Sequence, residues 1–386
     1  MAYTRKHGEG YEICVSCGFT AKGKRKQLYR HWTPDKDMTP KQVEKELTRQ
    51  AVLFEEECNN GFQTTTTKFE TFAETWINDY APLHLKSTTF ERIAKVRKRV
   101  YPILGHLRMD KITPRHIQAF VNNLSKQGAN ERTGEPLAPK TIKHNVTFIS
   151  DVFSYAVDMG ILQTNPCAKV KYPRGEAKEK NVYTPEEMTS LLIKLQSEPL
   201  KYRTFFTLMA YSGFRRSEML GLEWKDIDFA TSTITLKRTS NYTKEKGTYT
   251  DSMKTKRSRR SVKFPKIVMD LLSEFKESQD EEMLTIGESW LESDRLFVQW
   301  NGEPMSNNTP YTWLKRFCER NDIRFCDIHS FRHFAASAMI TSGIDLLTVS
   351  RTLGHSQPST TSNIYGHVFE ESSARASEAI TSVIGL

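Results

Sequence analysis

The chain of 386 residues has no run of 18 or more apolar residues, so no segment is long enough to cross a bilayer as a helix. Its start, Met1-Ala2-Tyr3-Thr4-Arg5-Lys6, leads into no apolar stretch, and no secretory leader is expected. Cysteine is sparse, with six residues at 14, 17, 58, 167, 318 and 326, scattered rather than spaced as a disulfide framework. That usage suits a reducing, cytoplasmic compartment. Cys14 and Cys17 make half of a zinc pattern, but no second Cys pair or His-x-x-x-His follows at zinc-site spacing, although His31 and Cys58 exist. Strand cysteines are the better reading, and no metal site is expected. A cluster of acidic residues suited to two-metal catalysis is also missing, as are internal repeats and long low-complexity tracts. No cofactor is expected.

Hydrophobic residues make up 38%, enough for several cores, and the length fits two or three domains. The net charge is +10, a balance that favours an anionic partner, nucleic acid above all. Three segments separate by composition. In residues 1–66, Tyr11 to Ser16 reads as a strand and Lys24 to Trp32 as a second strand region. Thr39-Pro40-Lys41-Gln42 starts a helix, with Thr at the cap, Pro in the first turn and Gln three residues after the cap; it runs to about Cys58. Lys22, Lys24, Arg25, Lys26 and Arg30 fall in the hairpin region, either as a solvated turn or as basic strands laid on DNA.

Residues 67–170 read as a helical bundle. Phe69, Phe72, Ala73, Trp76, Ile77 and Tyr80 recur at spacings of three and four. Similar stripes follow at Ile93/Val96/Val100, at Ile117/Phe120/Val121/Leu124 after Thr113-Pro114, and from Ile142 to Val157. Lys95, Arg97, Lys98 and Arg99 sit largely off the apolar face and could meet phosphates. Residues 171–183 are polar, hold Pro and Gly, and read as a linker. Thr184-Pro185-Glu186-Glu187 then opens the third segment, 184–386, with a capping box. It reads as mostly helical, with strands at 232–236 and 260–264 joined by a long polar loop. The expected fold class is mainly α with small β-sheets.

Polar residues in this last segment gather into specific strings: Gly213-Phe214-Arg215-Arg216-Ser217-Glu218, Lys254-Thr255-Lys256-Arg257-Ser258-Arg259-Arg260, His329-Ser330-Phe331-Arg332, Leu353-Gly354-His355, and Tyr365 ten residues later. Each alone is weak. In this order they resemble the tyrosine recombinase (phage integrase) family, whose pattern is Arg, Lys, His-x-x-Arg, His, Tyr.

The chemistry is consistent with that resemblance. Breaking a phosphodiester without a metal requires neutralising its non-bridging oxygens, and the guanidinium fork of arginine suits them. Arg215 and Arg332 would supply two forks. A phenol near pKa 10 is a weak nucleophile and needs a proton acceptor or a strongly positive site, and His329 is the candidate base. By resemblance, Tyr365 is the nucleophile, Lys254 the acid for the leaving 5′-oxygen, and His355 a contact to the phosphate or to the Tyr365 oxygen. Arg215 is chosen over Arg216 because the family's arginine stands three residues before the acid; Lys254 is chosen over Lys256 as the first lysine of Lys-Thr-Lys. Glu218 would support an arginine or a turn. Arg216, Lys256, Arg257 and Arg259 would contact the DNA backbone. His333, four residues after His329, is expected to pack rather than to bind metal, since position 330 is Ser and no third ligand is evident.

The resemblance further implies a core-binding domain at 67–170 that closes over DNA opposite the catalytic domain, and an arm-binding domain at 1–66. It implies double-stranded DNA with core and arm sites as partner, a homo-tetramer on DNA, an accessory bending or excision protein, and no membrane. After Tyr365, Ala376, Ala379, Ile380, Val383 and Ile384 recur at helical spacings, a short amphipathic stripe that needs a surface. That surface is either its own domain or, by resemblance, a neighbouring protomer. Rival readings are a type IB topoisomerase and a DNA-binding regulator without catalysis.

Overall fold

The computed structural model describes residues 2–19, 25–35, 37–59, 67–175, 182–253, 258–355, 357–359, 361–362 and 365. Among these the chain is mostly helical with small antiparallel sheets, the expected class. It divides into two compact units, Met1–Ala177 and Lys178–Leu386.

The first unit begins with an antiparallel sheet in the order β1 (Ala2–His7), β2 (Gly10–Phe19), β3 (Arg25–Trp32). The first strand was not expected: AYTRKH is short and polar, and only its pairing with β2, Tyr3 opposite Cys14 and Thr4 opposite Ile13, makes it a strand. Side chains alternate across the sheet, so Ala2, Ile13, Val15 and Leu28 pack with Phe54 of α1 (Pro40–Asn59). Thr39 caps that helix through Gln42, whose Oε1 accepts from the Thr39 backbone N–H at 2.9 Å. On the opposite face Tyr3 and Tyr29 are exposed.

The helices of this unit follow their apolar stripes. They are α2 (Phe69–Thr75), extended through a π-wound turn into α3 (Ala81–His84), then α4 (Ser87–Val100), α5 (Pro114–Leu124) and α6 (Pro139–Asp158). They share one core, in which Phe69 stacks on Phe153 at 5.6 Å and Phe120, Val146 and Ile149 are fully buried.

The second unit opens with α7 (Pro185–Lys194), capped reciprocally by Thr184 and Glu187, and continues through α8 (Leu200–Ser212) and α9 (Arg216–Met219). Strands β4 (Ile227–Asp228), β5 (Thr233–Leu236) and β8 (Arg260–Lys263) form one sheet, with Ile234 opposite Val262. The stretch expected to be a polar loop holds a hairpin of β6 (Arg238–Thr243) and β7 (Gly247–Ser252). Its polar composition hides the strand pattern, because its buried positions Ser240 and Thr243 are themselves polar. Helices α10 (Lys266–Ile286), α11 (Thr309–Arg320), α12 (His329–Thr341) and α13 (Leu346–Leu353) follow. The core is aromatic, with Phe205, Phe206, Phe214, Phe297, Phe317 and Phe331 all at most 1% exposed.

Candidate active site

The site is organised around the C-terminal end of α13. Asp345 caps the start of this helix, accepting from the backbone N–H groups of Leu347 and Thr348. Gly354 ends it in the left-handed conformation, φ 67°. The last carbonyls of a helix have no partner within it and carry partial negative charge. Here three arginines from three different elements donate to three consecutive carbonyls. Arg260 Nε reaches Thr352 O at 2.6 Å, Arg332 Nη2 reaches Leu353 O at 2.7 Å, and Arg215 Nη2 reaches Gly354 O at 3.3 Å.

Each arginine has a further anchor. Arg215 caps α9: its backbone N–H donates to Glu218 Oε2 at 2.9 Å and its Nη1 to Oε1 at 2.6 Å. Arg260 Nη2 donates to the same carboxylate at 2.9 Å, and its guanidinium lies over the Phe214 ring. Glu218 is 2% exposed. Burial alone would raise its pKa, but Arg260 and Arg215 reverse that and hold it below the ordinary carboxylate range. Arg332, also 2% exposed, donates through Nη1 to Gly213 O at 2.8 Å. Burial and the neighbouring Arg215 pull its pKa down to about 9, which still leaves it charged at neutral pH. Each terminal nitrogen of Arg332 keeps a second N–H beyond the carbonyl it serves, so the fork can still face an anion.

His355 follows the glycine. Its backbone N–H donates to Ser350 O at 3.0 Å, and its Nδ1 is 2.7 Å from Thr361 Oγ1. Burial, then the charges of Arg332, Arg215 and Arg260, push its pKa down to about 4. His329, the first residue of α12, is exposed and also acts on His355 electrostatically. Tyr365 is 3% exposed and packs with Ala336, Ile340, Val349 and Leu353. Burial raises its phenol to about 12, against the opposing pull of Arg332.

Arg215, Glu218, Arg332 and His355 are thus brought together, with His329 and Tyr365 within electrostatic reach of them. The expectation for His333 needs correction. It does more than pack: its Nδ1 lies 2.7 Å from the Tyr365 hydroxyl, and its ring meets that of His329 edge-on at 4.8 Å. Arg260 was also missed. The alternation Arg260, Val262, Phe264 turns those residues inward and Ser261 and Lys263 outward, and that period of two was the available signal.

Lys254, Lys256 and Arg257 lie outside the described residues, as do Lys22 and Lys24 and the side chains of Arg25 and Lys26. Arg259 is exposed, and so is Arg216, which has Asp327 within electrostatic reach. Lys95 and Lys98 are exposed on α4 and Arg99 is half-buried. Arg97, beside them, is paired with Glu74 at 3.1 Å. Arg30 departs from the DNA-facing expectation: its guanidinium lies over Phe54, on the face of the sheet that packs against α1. Among the described residues no group of three or more His, Cys, Asp or Glu could hold a metal ion, and the Cys17 side chain is not among them.

Comparison with known proteins shows the family. Residues 181–372 match the phage integrase family, and residues 68–125 match the phage integrase N-terminal SAM-like domain. The ICEBs1 integrase of Bacillus subtilis is 31% identical over 261 residues, 68% of each chain. A XerC-like tyrosine recombinase of Caldanaerobacter subterraneus is 29% identical over 400 residues, 98% of this chain and 97% of the relative. In fold the chain resembles the Tn1549 transposon integrase solved with transposon right end DNA, with a TM-score of 0.67 at 19% identity over 81% of this chain and 99% of that one. It also resembles a lambda integrase tetramer solved on a Holliday junction, with a TM-score of 0.53 at 16% identity over 93% of this chain and 94% of that one. The chain belongs to the phage integrase family of tyrosine recombinases.

Proposed function

We propose that this protein is the integrase of a mobile element. It integrates and excises that element at specific DNA sites, through a 3′-phosphotyrosine intermediate, without metal or ATP. The observation that carries the reading is the convergence of Arg215, Arg332 and His355 at the end of α13, with Tyr365 close by. Arg215 and Arg332 neutralise the non-bridging oxygens of the scissile phosphate. His329 accepts the proton of the Tyr365 phenol, His355 contacts the phosphate or the Tyr365 oxygen, and Glu218 holds Arg215 in place. Tyr365 attacks phosphorus, and Lys254 protonates the departing 5′-oxygen. The phosphotyrosine bond keeps the energy of the broken bond, so religation needs no nucleotide.

The remaining parts follow the same reading. Residues 67–170 close over core-site DNA opposite the 184–386 domain, joined by the 171–183 linker, with Lys95, Lys98 and Arg99 on phosphates. Residues 1–66 bind separate arm sites. Four protomers work together on two duplexes, aided by an accessory bending or excision protein. The enzyme acts on nucleoid DNA in the cytoplasm; among the described residues no helix is long and apolar enough to cross a membrane.

The test is to incubate the protein with supercoiled and linear DNA carrying the joined ends of its element, with EDTA present. Exchanged products and a denaturant-resistant protein–DNA adduct are expected. Tyr365→Phe binds DNA equally and forms no adduct, because only the nucleophilic oxygen is lost. Relaxation without exchange would make the protein a topoisomerase, and binding without cleavage a regulator. An adduct that persists in Tyr365→Phe would put the nucleophile elsewhere.

A further inference from the structure

The hydrogen bond between Tyr365 and His333 is not used by the mechanism above. A buried phenol needs a partner for its O–H, and His333 Nδ1 stands 2.7 Å from it, within the range for direct proton transfer. The two rings are fixed relative to each other: their centroids lie 5.6 Å apart with planes at 61°, and the Tyr365 ring is held among Ala336, Ile340, Val349 and Leu353. His333 lies one helical turn after His329 and directly follows Arg332, so the backbone of α12 sets the phosphate-binding arginine and this imidazole in one frame. Among the described residues, Arg332 acts on the phenol and His329 meets the His333 ring edge-on.

We infer that His333 is a catalytic residue, orienting the Tyr365 hydroxyl and accepting its proton as the oxygen attacks phosphorus. The inference rests on Tyr365 being the nucleophile. In cleavage the Tyr365 O–H bond breaks and its proton passes to His333 Nδ1, in the tautomer that carries hydrogen on Nε2. The Oη–P bond forms, the P–O5′ bond breaks, and the 5′-oxygen takes a proton from the acid. Religation reverses each step, and His333 returns the proton to Tyr365. The need is plain from the surroundings: burial raises the phenol to about 12, so little of it ionises unaided at neutral pH. An imidazole nitrogen can take the proton and give it back. His329, exposed at the helix start, then serves the phosphate rather than the tyrosine.

The experiment measures single-turnover cleavage by the full chain of a nicked duplex carrying the joined element ends, beside its affinity for the same DNA. His333→Ala should bind within about twofold of the parent and cleave on the order of 100-fold more slowly, the usual scale for a lost general base. Free imidazole in the buffer should restore part of that rate, which it would not do for a purely structural loss. His333→Gln keeps a hydrogen-bond partner for the phenol but takes no proton at neutral pH; it should fold, bind and stay slow, and it carries the test if the alanine variant unfolds. The inference is overturned if either variant cleaves within about threefold of the parent, if imidazole fails to speed His333→Ala, or if His329→Ala is the variant that imidazole rescues. An adduct formed by Tyr365→Phe would instead defeat the nucleophile assignment itself, so the two failures are told apart.

Discussion

His355 gathers several forces on one imidazole. Burial and the charges of Arg332, Arg215 and Arg260 all disfavour its protonated form, so it is neutral at physiological pH in the absence of DNA. The same shift makes stability depend on pH. The unfolded chain binds this proton below its ordinary value of 6.5, while the folded chain does so only near 4. Between those values the unfolded state carries more protons, so stability is fully present above about 6.5 and falls as the pH drops towards 4. At about 1.4 kcal/mol per pH unit the loss is on the order of 3 kcal/mol. Urea unfolding from pH 7 to 4 should therefore fall more steeply for the parent than for His355→Gln. Parallel curves would show that the arginines do not act on this residue. Sequence could mark His355 but not its ionisation, because its burial and its three cations come from distant parts of the chain.

Among the elements, α13 has the most exacting end. Gly354 adopts φ 67°, and a Cβ there would stand 2.5 Å from Arg260 Nη1. That nitrogen is at the end of a side chain, but the side chain is not at liberty to swing, since Glu218 and the carbonyls of Thr352 and Ser258 hold it. Gly354→Ala should therefore cost about 1–2 kcal/mol for the backbone and a further share of the ~3–5 kcal/mol tied to breaking a buried ion pair. Gly343→Ala in the same unit, with φ 82° and nothing within 4 Å of its Cβ, should show the backbone cost alone. Equal unfolding midpoints for the two variants would mean that Arg260 yields without loss. The element ends themselves were readable where side chains made them, as at Thr39, Thr113 and Thr184. They were less so at β1 and at the β6–β7 hairpin, where strand identity depends on a partner strand rather than on local composition.

For the whole molecule, we propose that residues beyond Tyr365, outside the described part of the chain, govern the arrangement of protomers. Their stripe of Ala376, Ala379, Ile380, Val383 and Ile384 is too short to be helical in water unless it is buried. If it docks on a neighbouring subunit, truncation after Gly366 should leave single core sites bound by monomers and abolish the assembled complex in native gels and light scattering. A truncated chain that assembles and recombines like the full one would place the stripe on its own domain.

The sequence alone determined the family, the mainly helical class and the identities of the phosphate-binding candidates, because these rest on residue types in a fixed order and on apolar periods of 3.6. Tertiary structure decided which groups meet. Arg260 joins Arg215 and Arg332 on the carbonyls of Thr352, Leu353 and Gly354, and Glu218 is shared between two of them. Likewise the tyrosine oxygen meets His333, which sequence had read as packing. Both depend on where α12, α13 and β8 come to rest against one another, and that is set by burial of side chains far apart in the chain, which no local spacing records.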